Sequence, residues 1–115
     1  MVEKIKVIYQ KGVEDYLDEL VFALHENDYF GFVEDAISYT VRIISAIDKE
    51  IHLKHSREVP AMLADKGSSY VIFKDLSKNK RTSWIIFFHK HGNEYLITHI
   101  TNNYGKDYAL LGKLL

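Results

Sequence analysis

The sequence predicts an α+β fold in a single domain, with two helices in the front half of the chain and an antiparallel sheet in the back half. Apolar residues recur at helical spacing between residues 13 and 53, and β-branched and aromatic residues dominate residues 69–101. A chain of 115 residues is long enough to bury a core without disulfides or metals. We therefore expect residues 1–115 to form one domain whose sheet has about four strands.

The N-terminal elements are predicted to be a strand followed by a helical hairpin. Residues 4–10 alternate lysine with apolar side chains, which is typical of a strand, and Lys11-Gly12 ends it. Two amphipathic helices are predicted over residues 13–27 and 30–53. Because the break at Asn27-Asp28 is short, we expect the two helices to pack roughly antiparallel.

The C-terminal half is predicted to form most of the sheet. Its three strands are expected over residues 69–76, 82–90 and 94–101. Short polar turns join these strands, so they should form an antiparallel meander. The polar loop before them, residues 52–66, is expected to contain one helical turn near Met62, and a short helix is expected within residues 106–115.

The composition limits both the chemistry and the compartment. The chain has no cysteine, which excludes disulfides, thiolate metal sites and a cysteine nucleophile, and which fits a reducing compartment. Charged residues interrupt the N-terminal segment, and no apolar run approaches the length of a membrane span. We therefore expect a cytoplasmic protein that does not bind a membrane.

Charge is distributed unevenly along the chain, although the formal net charge is only −1. Residues 14–48 carry nine acidic side chains against one arginine, whereas residues 49–90 carry nine basic side chains against four acidic ones. We expect such an asymmetry if one face of the protein meets phosphates and the other meets a basic partner. Two ordinary solvated faces would produce the same pattern.

Three segments of the sequence, taken in order, carry a family resemblance. They are Val59 to Leu63 with Gly67 to Tyr70, then Thr82 to Phe88, and finally Tyr95 to Asn103. Together with the preceding strand and helices, they resemble the RelE/ParE superfamily of toxins from bacterial type II toxin–antitoxin pairs, in which a helical hairpin packs on an antiparallel sheet. The resemblance spans almost the whole chain. Relatives usually begin the penultimate strand with an arginine, where this chain has Arg81-Thr82-Ser83-Trp84.

The resemblance implies a function. Some members of the superfamily cut messenger RNA on the ribosome without a metal ion, and a cognate antitoxin silences them. Two alternatives stay open for this chain. One is a non-catalytic, ParE-like toxin that poisons DNA gyrase by binding it, and the other is a binding module that keeps the fold without the toxicity.

The candidate catalytic residues are His99, Tyr104 and Arg81. RNA cleavage of this kind needs a base for the ribose 2′-hydroxyl, an acid for the leaving oxygen and a cation for the phosphate. The end of the last strand, with His99 and Tyr104, is where some relatives place catalytic side chains. Arg81 is suited to bind two phosphate oxygens through its planar guanidinium. The plainer interpretations are a histidine satisfied by its neighbours in the sheet and an arginine in solvent.

The candidate RNA-binding residues are Lys54, His55 and Arg57, in the basic loop after the second helix. They would hold the RNA backbone, and the alternative is a polar loop without a ligand. The aromatic side chains of Trp84, Phe87 and Phe88 are expected in the core, because their strand is almost continuously apolar, rather than stacked on bases.

A metal site is not expected. His89 and His91 alternate along a predicted strand and could ligate one ion, but no acidic or cysteine ligand lies at a suitable spacing. We expect both histidines to be exposed near a turn. The sequence also lacks a glycine-rich phosphate loop, so no cofactor is expected.

Overall fold

The computed structural model describes residues 4–26, 33–74, 76 and 82–102. The two α-helices are α1 (Lys11–Glu26) and α2 (Val33–Glu50). The five strands are β1 (Lys6–Tyr9), β2 (Arg57–Glu58), β3 (Ser69–Phe73), β4 (Trp84–His91) and β5 (Glu94–Asn102). Single 3-10 turns lie at Ile51–Leu53 and Ala61–Leu63. The second of these is the helical turn expected near Met62.

The strands form one mixed sheet in the order β1-β5-β4-β3-β2. The antiparallel meander of β3, β4 and β5 is confirmed, since β3 pairs with β4 and β4 with β5 in antiparallel register. The expectation that the whole sheet is antiparallel and has about four strands is wrong in two respects. β1 pairs with β5 in parallel register, and the two-residue strand β2 adds a fifth strand beyond β3.

Both corrections have a physical reason. Tight turns impose antiparallel pairing on the strands that they join, but β1 is followed by a helix and meets β5 only after most of the chain has intervened. Its direction in the sheet therefore depends on how the helices pack. β2 was expected to be part of the polar loop because two exposed charged residues, Arg57 and Glu58, carry no strand pattern.

The bounds of the other elements differ by a few residues from expectation. The first helix begins two residues early, and the second ends at Glu50 and continues as a 3-10 turn. The strand expected over 69–76 ends at Phe73. The expected break at Asn27-Asp28 and the expected helix within 106–115 lie outside the described residues.

The helices cover one face of the sheet. The main core joins Val13, Leu17, Ile43 and Ile47 from the helices to inward side chains of β3, β4 and β5, among them Trp84. Hydrophobic periodicity explains these positions, because residues three or four apart share one helix face. The outer surface of α1 is acidic, with exposed side chains at Glu14, Asp15, Asp18 and Glu19.

A loop covers the middle of the opposite face, which we call the helix-free face. This covering loop, residues 59–68, is closed by a hydrogen bond of 3.1 Å from the Val59 N–H to the Ser68 carbonyl. Its Leu63 side chain is buried against three side chains of the sheet, Tyr70, Ile85 and Phe87. Gly67 lies so close to the sheet that a Cβ there would be 3.2 Å from the Cβ of Phe87.

No helix in the part of the chain that the structure describes is both long enough and apolar enough to span a membrane.

Candidate functional site

Two of the predicted site residues lie in one row across the helix-free face. Register pairs Arg57 with Tyr70, Tyr70 with Phe87, and Phe87 with His99. Directly opposed residues of antiparallel strands point to the same face of a sheet. Arg57 and His99 therefore share a face, three strand spacings or about 14 Å apart.

His99 sits against an aromatic ring at one end of this row. Its imidazole lies 5.5 Å from the Phe87 ring, centroid to centroid, and the side chain is partly exposed. A β-bulge between Phe87 and Phe88 shifts the register, so that Phe88 pairs with Ile97. Thr98 and His99 consequently both lie on the helix-free face, where the Thr98 hydroxyl donates a hydrogen bond to the Lys66 carbonyl. The bulge thus places His99 beside the covering loop.

The middle of the row is not a base-stacking surface. Tyr70 and Phe87 are only 2% and 0% exposed, because the covering loop lies over them. The expectation that the strand aromatics belong to the core is confirmed for Trp84, Phe87 and Phe88, which are all buried. Any RNA on this face would therefore pass around the covering loop rather than stack on these rings.

At the other end of the row, the three candidate RNA-binding residues come together. Lys54, His55 and Arg57 line a shallow hollow of about 220 Å³ where β3 runs on past the end of β2. His55 and Arg57 are exposed, whereas the Lys54 ammonium lies 4.9 Å from the centroid of the Phe73 ring in a cation–π contact. The hollow has cationic walls and one exposed planar guanidinium, which is the chemistry that phosphate oxygens bind.

The structure does not bring all the candidate residues to one point. His99 and the cationic hollow lie on opposite sides of the covering loop. Arg81 and Tyr104 lie outside the described residues, so their positions relative to His99 stay predictions.

His89 is less exposed than its position near a turn in the sequence predicted. His91 is exposed as expected, but His89 is only partly exposed, and its Nδ1 lies 2.9 Å from the Ser68 hydroxyl oxygen. Two signals in the sequence indicated that His89 lies on the helix-free face and that a bulge lies near it. His89 follows Phe87 by two residues on a strand and so shares its face. The spacing of the apolar residues Tyr95, Ile97 and Ile100 breaks the alternation of a regular strand, which marks the bulge.

Within the described ranges, no three side chains of histidine, aspartate or glutamate are grouped so that they could bind a metal ion. A second hollow, about 690 Å³, runs along the outward side of α2 beside Val41, Arg42 and Ser45. It contains none of the candidate residues. The Arg42 guanidinium donates a hydrogen bond of 3.0 Å to the Leu76 carbonyl at its margin.

Comparisons with protein-family models, with curated proteins and with solved structures find no match to this chain.

Proposed function

We propose that this chain is the toxin of a toxin–antitoxin pair and that it cleaves messenger RNA on the ribosome without a metal ion. The observation that carries the proposal is the row from Arg57 to His99 on the helix-free face. A phosphate-binding cation and a proton-transferring histidine on the same face are two of the parts that such cleavage needs.

The charge distribution supports RNA binding on this face. The acidic side chains of α1 and the first turn of α2, including Glu14, Asp18 and Glu34, are exposed on the helical layer. The exposed cation Arg57 lies at the edge of the sheet beyond that layer, with the exposed side chain of His55 beside it. A polyanion is repelled by the first surface and attracted by the second, so the protein has one favourable orientation on RNA.

In this proposal the RNA backbone enters at the cationic hollow and passes beside the covering loop to His99. Arg57 neutralises a phosphate that is not cleaved and so fixes the position of the RNA strand along the protein. His99 transfers a proton at the scissile phosphate. Arg81 and Tyr104 are assigned to the same step by the resemblance, as the cation and as a second proton-transferring group.

The antitoxin of the pair would cover the helix-free face. Because the cationic hollow lies at the edge of that face, an acidic segment of the antitoxin would compete directly with RNA for Arg57 and His55. Co-expression with the product of the neighbouring reading frame should then restore growth, and the charge-reversing variant Arg57→Glu should bind that product more weakly than the wild-type chain does.

The decisive experiment is controlled expression in a bacterial host, with growth followed and the 5′ ends of messenger RNA mapped before and after induction. We expect growth arrest with new ends inside translated regions. The double variant His99→Ala with Tyr104→Phe should remove both effects while staying folded, and His91→Gln, at an exposed position on the same strand pair, should retain them.

Other outcomes would redirect the assignment. Arrest with intact messages would contradict cleavage and favour the gyrase-binding alternative. Unimpaired growth with a folded, abundant protein would leave a binding module without toxicity. A double variant that remains fully toxic and still cuts RNA would remove His99 and Tyr104 from the site.

A further inference from the structure

The first strand leaves one edge of the sheet open. β1 pairs with β5 on one side, and no other strand among the described residues lies beyond it. The opposite edge is formed by β2, which has only two residues, Arg57 and Glu58, both charged and exposed. Very short, charged edge strands resist pairing with another chain, whereas a longer edge with exposed apolar side chains favours it. β1 is therefore the edge that is suited to pair with a second molecule.

The pairing of β1 with β5 determines which backbone groups face the open edge. The backbone N–H groups of Lys6 and Gln10 donate hydrogen bonds of 3.0 Å to carbonyls of β5 and of the turn before it. Successive residues of a strand direct their N–H and C=O groups to opposite edges. The even-numbered residues of β1 therefore bond to β5, and Val7 and Tyr9 direct their backbone groups to the open edge.

The side chains of β1 divide between the two faces of the sheet. Those of Val7 and Tyr9 pack against the main core beneath the helices. Ile8 consequently lies on the helix-free face, where it is 38% exposed and is aligned with the partly exposed Leu96 of β5. These two side chains form an apolar strip at the open edge, separate from the cluster that the covering loop buries.

A second copy of this chain fits the open edge. A two-fold axis through Ile8, perpendicular to the sheet, pairs the two β1 strands antiparallel. Val7 of each copy then exchanges two backbone hydrogen bonds with Tyr9 of the other, and Ile8 faces its own copy across the axis. Lys6 faces Gln10, so no like charges are opposed, and the net charge of −1 adds little repulsion between copies.

Other two-fold registers fit less well. An axis through Val7 places the exposed Ile8 against Lys6 of the copy, and an axis through Lys6 opposes two lysines. An axis between two residues opposes backbone groups that face outward to groups already bonded to β5, so no regular ladder forms. Registers centred beyond Ile8 run into α1, which begins at Lys11.

We propose that this chain forms a two-fold symmetric dimer in which the β1 strands of two copies join antiparallel at Ile8. The five strands of each copy then become one ten-stranded sheet. Because the axis is perpendicular to the sheet, both helix-free faces, each with its His99, are on the same side. The pairing uses none of the residues assigned to RNA cleavage, so either property can fail without the other.

The oligomeric state of the purified full chain tests the dimer. We expect the mass from sedimentation equilibrium to rise from 13.4 kDa toward twice that value as the protein concentration is raised. A single short strand from each copy makes a small interface, so dissociation should be measurable on dilution. Ile8→Glu should abolish the rise, because it opposes two carboxylates at the axis. Val41→Glu is the matched control, since Val41 is 56% exposed on α2, and this variant should still dimerise.

A cysteine at the axis tests the register. The chain has no cysteine, so Ile8→Cys introduces a single thiol. Directly opposed residues of a non-hydrogen-bonded antiparallel pair have Cα atoms about 4.5 Å apart, which is within the range of a disulfide. Under mild oxidation we expect a covalent dimer from Ile8→Cys. Lys6→Cys should give none, because its position and that of its copy are about 14 Å apart along the ladder.

A mixture of two charged variants tests whether Ile8 faces its own copy. Ile8→Lys and Ile8→Glu should each be monomeric alone, because like charges meet at the axis. An equimolar mixture should form the mixed dimer, since opposite charges then face each other. Circular dichroism and urea unfolding of each variant show whether the monomers are folded.

Several results would overturn the dimer. They are a folded wild-type chain that stays monomeric at every concentration, a dimer that persists in Ile8→Glu, and cross-linking through Lys6→Cys in preference to Ile8→Cys. Protection of the β1 edge from hydrogen exchange only when the product of the neighbouring reading frame is added would assign that edge to a different protein and would also overturn it.

Discussion

The indole N–H of Trp84 donates a hydrogen bond of 2.9 Å to the hydroxyl of Tyr39, and this bond joins the middle of α2 to the start of β4 in the buried core. The rings of the two residues also contact each other, with centroids 6.3 Å apart. Trp84 is 1% exposed, so water cannot replace the tyrosine as its hydrogen-bond partner. Burial raises the pKa of the Tyr39 hydroxyl, which therefore stays protonated over the ordinary pH range.

Removing this acceptor should destabilise the fold. Tyr39→Phe leaves the buried indole N–H unsatisfied, and we expect the free energy of unfolding to fall by about 1–3 kcal/mol in urea titrations. The matched control is Tyr16→Phe, because the Tyr16 ring is partly buried on α1 without a hydrogen bond of its own in the described structure. Equal losses in the two variants would mean that the Trp84 bond contributes little.

Gly67→Ala should also destabilise the protein. A Cβ at this position would lie 2.7 Å from the Thr98 hydroxyl and 3.1 Å from the Phe88 backbone nitrogen, so the covering loop would be pushed off the sheet. We expect a loss of about 1–3 kcal/mol in thermal or urea unfolding, as for other overpacked sites. Gly12→Ala is the control, because nothing lies within 4 Å of its Cβ and it sits in the helix α1. It should be neutral or stabilising by up to about 1 kcal/mol.

The hydrogen bond between Tyr9 and Asp48 should make the free energy of unfolding fall at high pH. The Tyr9 hydroxyl donates a 2.6 Å hydrogen bond to the Asp48 carboxylate, and burial, this bond and the carboxylate charge raise its pKa far above the ordinary value of 10.0. Above about pH 10 the unfolded chain loses this proton while the folded protein keeps it, so the folded state binds more protons and its stability decreases as pH rises. Below that pH the contribution is fully present.

Urea unfolding between pH 8 and pH 11 measures this effect. Tyr9→Phe should reduce the slope of stability against pH above about pH 10, and some slope should remain because burial raises the pKa of Tyr16 and Tyr39 as well. Asp48→Asn keeps an acceptor and removes the charge, so it should give an intermediate slope. An unchanged slope in Tyr9→Phe would contradict the assignment.

The cationic hollow should account for part of the salt dependence of RNA binding. We expect Arg57→Gln, made in a His99→Ala background to prevent cleavage, to weaken binding of a single-stranded RNA and to lower the slope of log K against log salt by about 0.7. Lys11→Gln removes the same charge from an exposed position in the first turn of α1 and should leave the slope unchanged. Equal effects of the two substitutions would indicate diffuse charge and no defined RNA path.

Local sequence signals predicted the elements that depend on neighbours in the chain. Short polar turns imposed the antiparallel pairing of β3, β4 and β5, and the apolar run that contains Phe87 predicted its burial. The proximity of Lys54, His55 and Arg57 was also visible, since residues so close in sequence line one hollow. These features follow from backbone geometry over a few residues, which the sequence specifies directly.

The site depended on contacts between distant parts of the chain. Arg57 and His99 share a row only because β2 adds to the edge of β3, and two charged residues give no sign of that pairing. His89 meets Ser68 only because the covering loop folds back onto β4.

By itself, the sequence determined the fold class, the helical front half, the three-stranded meander and the separation of acidic from basic segments. Only the tertiary structure decided the parallel pairing of β1 with β5, the bulge that brings Thr98 and His99 to the same face, and the closure of the covering loop. The reason is physical. Periodicity and turn chemistry act over a few residues, whereas strand partners and loop docking are selected by the burial of surfaces that only the assembled helices and sheet present to each other.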